Sequence, residues 1–272
     1  LTQCFDSICE SPGYERFQVV LVDNGSKLPE TAAILDRLAG DPRVLVLEEP
    51  GPFNWSKMNN DAAAMADGDL LLFMNNDVEA TTEEWLLALV EHAQRPEVGA
   101  VGSRLLYPNR TIQHAGVVIG MHEGAGHVLQ DIDESSPGYL SWAFMNRNCT
   151  ALTGACLMTR RDVFEEMGGF SLDLPISFSD IDYCLKLREA GHLVVYTPLS
   201  ELVHHESRTR GHTDDKLEIP RYLSKWRDQI AAGDPYYHPS LSRWRSWCPL
   251  STEEEDRLWE RFLLKLERLQ LP

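Results

Sequence analysis

The chain has 272 residues, 43% of them hydrophobic, enough to bury a full core as one large α/β domain with extensions or as two small ones. Its 25 Lys and Arg stand against 42 Asp and Glu, a net charge of −17 that argues against a nucleic-acid footprint and a polyanion-binding surface. A phosphorylated ligand would therefore be held by a metal ion and backbone N–H groups, and no apolar run reaches the ~18 residues needed to span a bilayer.

Residues 1–10 read as the end of an amphipathic helix, and 17–22 as an apolar strand running into Asp23, Asn24, Gly25 and Ser26. A helix over 29–38 and a short strand over 44–47 complete a strand-helix-strand unit, which implies a parallel sheet. The next helix starts at Ser56, carries Met58, Ala62, Ala63 and Met65 on its apolar face and Asn59, Asn60 and Asp61 in its first turns, and stops at Gly68. Then Leu70, Leu71, Leu72, Phe73 and Met74 run without a polar residue into Asn75, Asn76 and Asp77. That is the pattern of a strand buried on both faces that ends at a site. Open α/β sheets bind ligands at the carboxyl ends of their parallel strands. Asp77 there is a hard oxygen donor suited to Mg²⁺ or Mn²⁺ shared with a diphosphate. The same three residues could instead cap the helix expected over 82–94.

Segments 98–107 and 111–120 have β character and are joined by Pro108 and Asn109, which suggests a hairpin. Residues 121–139, rich in Gly, His, Asp and Ser, are too long for an ordinary connection and form a candidate lid. A strand over 150–159 is broken at Gly154 and Ala155, and a short helix follows over 161–167. Ser179 is the expected N-cap of a helix with Asp180 and Asp182 in its first turn, where the dipole favours ionised carboxylates, and with Ile181, Cys184, Leu185 and Leu187 on its buried face. Such acids are also commonly no more than a solvated helix start. Strands over 192–196 and 201–204 close the compact part, and a charged amphipathic helix over 252–269 ends the chain. The six cysteines form no CxxC pair and read as buried free thiols of a reducing compartment.

The ordered set is distinctive: Asp23-Asn-Gly-Ser, Asn59-Asn60, Asn75-Asn76-Asp77, Thr153-Gly154-Ala155-Cys156, Gly168-Gly169-Phe170, Ser179-Asp180-Ile181-Asp182 and His204-His205-Glu206-Ser207. It resembles the family 2 glycosyltransferases, inverting enzymes with the GT-A fold, especially bacterial O-antigen and rhamnosyltransferase-like members. The resemblance implies an α/β fold with a Rossmann-like, mostly parallel sheet flanked by helices, a GT-A domain over 1–211 and a helical C-terminal extension over 212–272. In that fold a first strand precedes the first helix. The expectation is therefore that this chain lacks it, and that the natural protein has at least a strand's length more before Leu1 or fills the gap with another segment.

By position, Asp23 matches the acidic residue that binds the donor's base, Asn60 falls where a helix approaches the nucleotide, and Asn76 and Gly154 lie in motifs that line the substrate. Asp77 matches the metal-binding last position of the family's DxD motif, whose first position is Asn75 here. Asp180 matches the catalytic base, with Ser179 where relatives carry an acid, and Asp182 is a support. His204 or His205 matches a metal-completing His, and the doublet leaves the choice open. The implied activity is sugar transfer from a nucleotide-diphosphate donor to a glycan or lipid-linked glycan, with Mg²⁺ or Mn²⁺. The implied place is the cytoplasm, extending to peripheral association with the inner face of the membrane.

Two rival readings remain at this level. A nucleotidyltransferase needs a Gly-rich loop with a basic residue after its first strand, and none is seen. A catalytically silent carbohydrate-binding or scaffold domain has no use for a base opposite a metal, so Asp77 and Asp180 argue against it. Trp55 and Trp142 could be sugar-stacking platforms or core residues. The spacing of His114, His122 and His127 fits no tetrahedral zinc pattern.

Overall fold

The computed structural model describes residues 1–9, 14, 16–205 and 218–269; the boundary expected at 211–212 lies outside these, as do Glu10, Glu206 and Ser207. In chain order the first elements are α1 (Thr2–Cys9), β1 (Val19–Asp23), α2 (Pro29–Ala39), β2 (Val44–Glu48), α3 (Trp55–Met65), β3 (Leu70–Met74), β4 (Val78–Ala80) and α4 (Trp85–Ala93). Next come β5 (Val98–Leu106), β6 (Ile112–His114), β7 (Val117–Ile119), β8 (Ala125–His127), β9 (Arg147–Asn148) and β10 (Cys156–Arg160). The chain continues with α5 (Arg161–Glu166), α6 (Ser179–Glu189), β11 (Leu193–His204), α7 (Glu218–Lys225), α8 (Arg227–Ala232) and α9 (Glu253–Glu267).

Among the described residues the main sheet has seven strands, in the order β3-β10-β5-β11-β4 with β6 joined to β5 and β9 to β11. Strand β5 is its spine. All nine of its residues are buried, so it runs as an apolar and small-residue stretch rather than alternating. The sheet is mixed and not mostly parallel as expected. Strand β11 runs parallel to β5, but β10 is antiparallel to both β3 and β5, and β4 is antiparallel to β11. These antiparallel pairs join strands distant in the chain, so no local turn signal in the sequence marks their direction. The strands expected over 192–196 and 201–204 are one strand, β11, whose register to β5 shifts between Thr197 and Glu201 around Pro198. Strands β1 and β2 form a separate parallel pair. Among the described residues no ladder joins β1 to β3.

Two further expectations change. Within 121–130, where a lid was expected, much of the chain packs into the body although His122 is exposed: β8 pairs with β7, Val128 and Leu129 are wholly buried, and the Leu129 N–H donates to the Ser246 carbonyl at 2.6 Å. Ser179 does not cap α6. Phe178 takes the cap position at φ 62°, and Ser179 is the buried first residue of the helix. Helices α7 and α8 belong to the helical C-terminal extension expected over 212–272, and their Tyr222, Leu223, Trp226 and Ile230 pack against Ile119, Leu174 and Leu185 of the preceding chain. Tyr237, Leu241 and Cys248 likewise join the main core. Helix α9 does begin as its sequence predicts, with Thr252 and Glu255 in a reciprocal capping box. All six cysteines are free, five of them buried. No helix among the described residues is long and apolar enough to cross a membrane.

Candidate active site

The turn Asn75–Asp77 carries the chain from β3 directly into β4, and β4 pairs Val78 against His204 at the end of β11. This register settles how the two histidines lie. His204, 8% exposed, brings Nε2 to 3.1 Å from Asp77 Oδ1 and 3.4 Å from Asn75 Nδ2. His205 turns the other way: its N–H donates to the Asp77 carbonyl at 2.9 Å, but its ring meets Glu79 Oε2 at 3.0 Å. The expected metal role of His205 is thus not matched by its position, because alternation along an extended chain sends neighbouring side chains to opposite faces.

Gln113 completes this arrangement and carried no signal in sequence. Its Oε1 lies 2.7 Å from His204 Nδ1, an acceptor for a hydrogen on Nδ1 that would leave Nε2 free to bind a cation. Asp77 Oδ1 and His204 Nε2, which face each other at 3.1 Å, are the two side-chain atoms that could hold a cation here. Among the described residues no group of three or more His, Cys, Asp or Glu converges on a metal position. Two protein donors, with the remainder from diphosphate and water, suit Mg²⁺ or Mn²⁺, and the oriented imidazole is the usual outer-shell arrangement of a metal ligand.

Asp180 is fixed from two sides. Its Oδ2 accepts the Gly154 N–H at 2.7 Å and its Oδ1 the Ile181 N–H at 2.8 Å. Burial raises its pKa above the ordinary carboxylate value, and the backbone donors only partly offset this. The next residue, Ala155, accepts the Asn75 N–H at 3.1 Å through its carbonyl. Two successive residues therefore fasten the Asp180 carboxylate and the Asp77 turn to one point. Gly154 is needed there because a Cβ would come within 2.7 Å of the Trp55 ring. Gly154 thus positions Asp180 and Trp55. Trp55 in turn packs on Phe170 at 4.7 Å, a core role.

Two residues expected to bind substrate are occupied elsewhere. Asn60 donates through Nδ2 to the Phe170 carbonyl and accepts the Phe170 N–H, each at 2.9 Å, which pins α3 to the turn after α5. Asp182, wholly buried, accepts the Trp226 indole N–H at 2.9 Å and pairs with Lys225 at 2.5 Å, fastening α6 to the C-terminal helices. Two helical steps, about 200° in all, turn Asp182 to the opposite face of α6 from Asp180, so it cannot share the site of Asp180. Asp182→Ala should lower unfolding free energy by about 1–3 kcal/mol, since a buried indole N–H loses its acceptor. Urea denaturation monitored by tryptophan fluorescence will show it. Asp23 accepts the Ser26 N–H at 3.0 Å and ends β1, and Asn76 lies exposed at the tip of its turn.

Buried His114 and half-buried His127 bring their Nδ1 atoms to 2.8 Å from each other. Burial holds His114 well below the imidazole value of 6.5 and His127 down to about 4. On unfolding both regain ordinary pKa values and take up protons, so their stabilisation is present above about pH 6.5 and is lost as pH falls toward 4. Denaturation midpoints should fall across that window, and less steeply in His127→Asn.

The architecture places the chain among GT-A glycosyltransferase folds. It superposes on the mannosyltransferase PcManGT of Pyrobaculum calidifontis, in complex with GDP-Man and Mn²⁺, with a TM-score of 0.58 at 17% identity, over 98% of this chain and 66% of that one. It also superposes on GalNAc-T7 with UDP, GalNAc and Mn²⁺, with a TM-score of 0.62 at 15% identity, over 78% of this chain and 43% of that one.

The family model "Glycosyl transferase family 2" matches residues 1–168, and the chain belongs to that family. It is 43% identical over 258 residues to the O-antigen biosynthesis protein RfbC of Myxococcus xanthus, covering 92% of this chain and 20% of the relative. It is 27% identical over 221 residues to the N-acetylglucosaminyl-diphospho-decaprenol L-rhamnosyltransferase of Mycobacterium tuberculosis, covering 71% of this chain and 68% of the relative. The chain spans 20% and 28% of the lengths of the two relatives it matches at 40% identity or above.

Proposed function

We propose that the chain transfers a sugar, with inversion, from a nucleotide-diphosphate donor to a hydroxyl of a glycan or lipid-linked glycan in bacterial surface-polysaccharide synthesis, at the cytoplasmic face of the membrane. The observation that carries this reading is the joint fastening of Asp180 and the Asp77 turn to Gly154 and Ala155.

Direct displacement at an anomeric carbon needs a base to take the acceptor proton and needs the departing diphosphate neutralised. Asp180 is the base. Burial raises its proton affinity, and its two backbone N–H partners fix the direction in which the carboxylate points. Asp77 Oδ1 and His204 Nε2 would hold Mg²⁺ or Mn²⁺, which supplies the charge neutralisation of the leaving diphosphate. Asp23 receives the donor's base at the end of β1, and Asn76 reaches the donor from the exposed tip of the Asp77 turn. One structural neighbour is named with the nucleotide sugar GDP-Man and the other with UDP and GalNAc, which supports a nucleotide-diphosphate donor, and the names of the relatives in Myxococcus and Mycobacterium support a polysaccharide or rhamnosyl product.

Incubation with UDP-, GDP- and dTDP-sugars, scoring nucleoside diphosphate release with and without Mn²⁺, tests the activity. NMR of the product's anomeric configuration tests inversion. Nucleotide binding without release would favour the silent domain, and a retained configuration would overturn the mechanism.

A further inference from the structure

Asp180 opens into a cavity of about 350 Å³, in the size range of small-molecule sites. Two other ionisable side chains, Glu218 and His127, line the same cavity, beside Ser177, Phe178 and Ile181. Glu218 comes from the first turn of α7, beyond the part of the chain that matches the family. It is 1% exposed, its Oε2 accepts the N–H groups of Ile176 and Ser177, and its Oε1 is buried with no hydrogen-bond partner among the described residues. A carboxylate oxygen left so is destabilising, and a ligand hydroxyl that donates to it removes the penalty.

His127 offers the complementary group. The Gly116 N–H donates to His114 Nε2 at 3.3 Å, so neutral His114 carries its hydrogen on Nδ1 and donates it to His127 Nδ1 at 2.8 Å. This leaves His127 with its hydrogen on Nε2, as a fixed donor. The cavity is held rigidly as well. Phe178, ahead of α6, stacks on Tyr222 of α7 at 4.5 Å and 16°, which couples the helix that bears Glu218 to the helix that bears Asp180.

We propose that the acceptor is presented as a sugar ring, and that Glu218 and His127 select it by binding oxygens beside the hydroxyl that reacts at Asp180. A ligand that satisfies all three groups has a reacting hydroxyl, a second hydroxyl to donate to Glu218 Oε1 and an oxygen to accept from His127. A pyranose meets this and an aliphatic alcohol does not. Two carboxylates in one cavity also repel phosphate, so a diphosphate on the acceptor lies outside it. The inference rests on the reading of Asp180 as the base.

Saturation-transfer NMR on the whole chain with a panel of methyl pyranosides, and with 1-octanol as the aliphatic control, tests it. The panel is run with and without Mn²⁺ and the tightest binder among UDP, GDP and dTDP, so that failure of the donor reading shows separately as no nucleotide binding. At least one pyranoside should bind, with affinity at least about 10-fold weaker in Glu218→Gln and in His127→Phe and with nucleotide binding unchanged. Ile219→Trp, at the exposed edge of the cavity, should weaken the same pyranoside and decides the matter should either of the others fail to unfold cooperatively. No pyranoside binding, signal from octanol alone, or unchanged affinity in the folded variants would overturn the proposal.

Discussion

Asp180→Asn should lower kcat by ~10²–10⁴-fold, the usual cost of losing a general base, while nucleoside diphosphate binding stays intact. Asn keeps the shape of the side chain and an acceptor for the Gly154 N–H, so the fold is preserved and only basicity is removed. The pH profile of the unaltered protein supplies a second reading. A base must be deprotonated to act, and burial raises the pKa of Asp180, so kcat should decline with falling pH at a point above the ordinary carboxylate value of 3.8. That acidic limb should vanish from the residual rate of the Asn variant. Turnover within a few-fold of the unaltered protein would place the base elsewhere.

Asp77→Ala and His204→Ala should each abolish the Mn²⁺-dependent part of nucleoside diphosphate binding, measured by calorimetry and by the electron paramagnetic resonance of bound Mn²⁺. Gln113→Ala should weaken it by about 10–100-fold, the typical effect of losing an outer-shell partner. His205→Ala should leave it unchanged, since that ring pairs with Glu79 and not with Asp77. Equal effects from His204→Ala and His205→Ala would contradict the assignment made from the β4–β11 register.

These two experiments divide along the line between what could be read from the sequence and what could not. Asp77 and Asp180 were legible because each stands at a break in a strong local pattern: the apolar run 70–74 stopping at three polar residues, and a helix opening on Ser-Asp-Ile-Asp. Patterns of this kind record which residues a strand or helix buries, which is a property of a short stretch of chain. The choice between His204 and His205 was not legible, because adjacent residues share every local feature. It took the antiparallel pairing of β11 with β4 to turn one ring onto Asp77 and the other onto Glu79.

Asn60, Gly154 and Asp182 show the converse. Their residue types and positions are those of a substrate site, but each is used as a structural pin whose partner lies 26 to 110 residues away in the chain. The sequence by itself determined the α/β class, the strand ends that carry Asp23 and Asp77, and the helix start at Thr252, all of which follow from local hydrophobic periodicity, while its ordered motifs carried the resemblance to the family. Only the tertiary structure decided that the sheet is mixed, that Gln113 orients His204, that Val128 and Leu129 are core, and that Glu218 stands beside Asp180. Each of these depends on which distant segments pack together, and long-range pairing leaves no periodic trace in either partner.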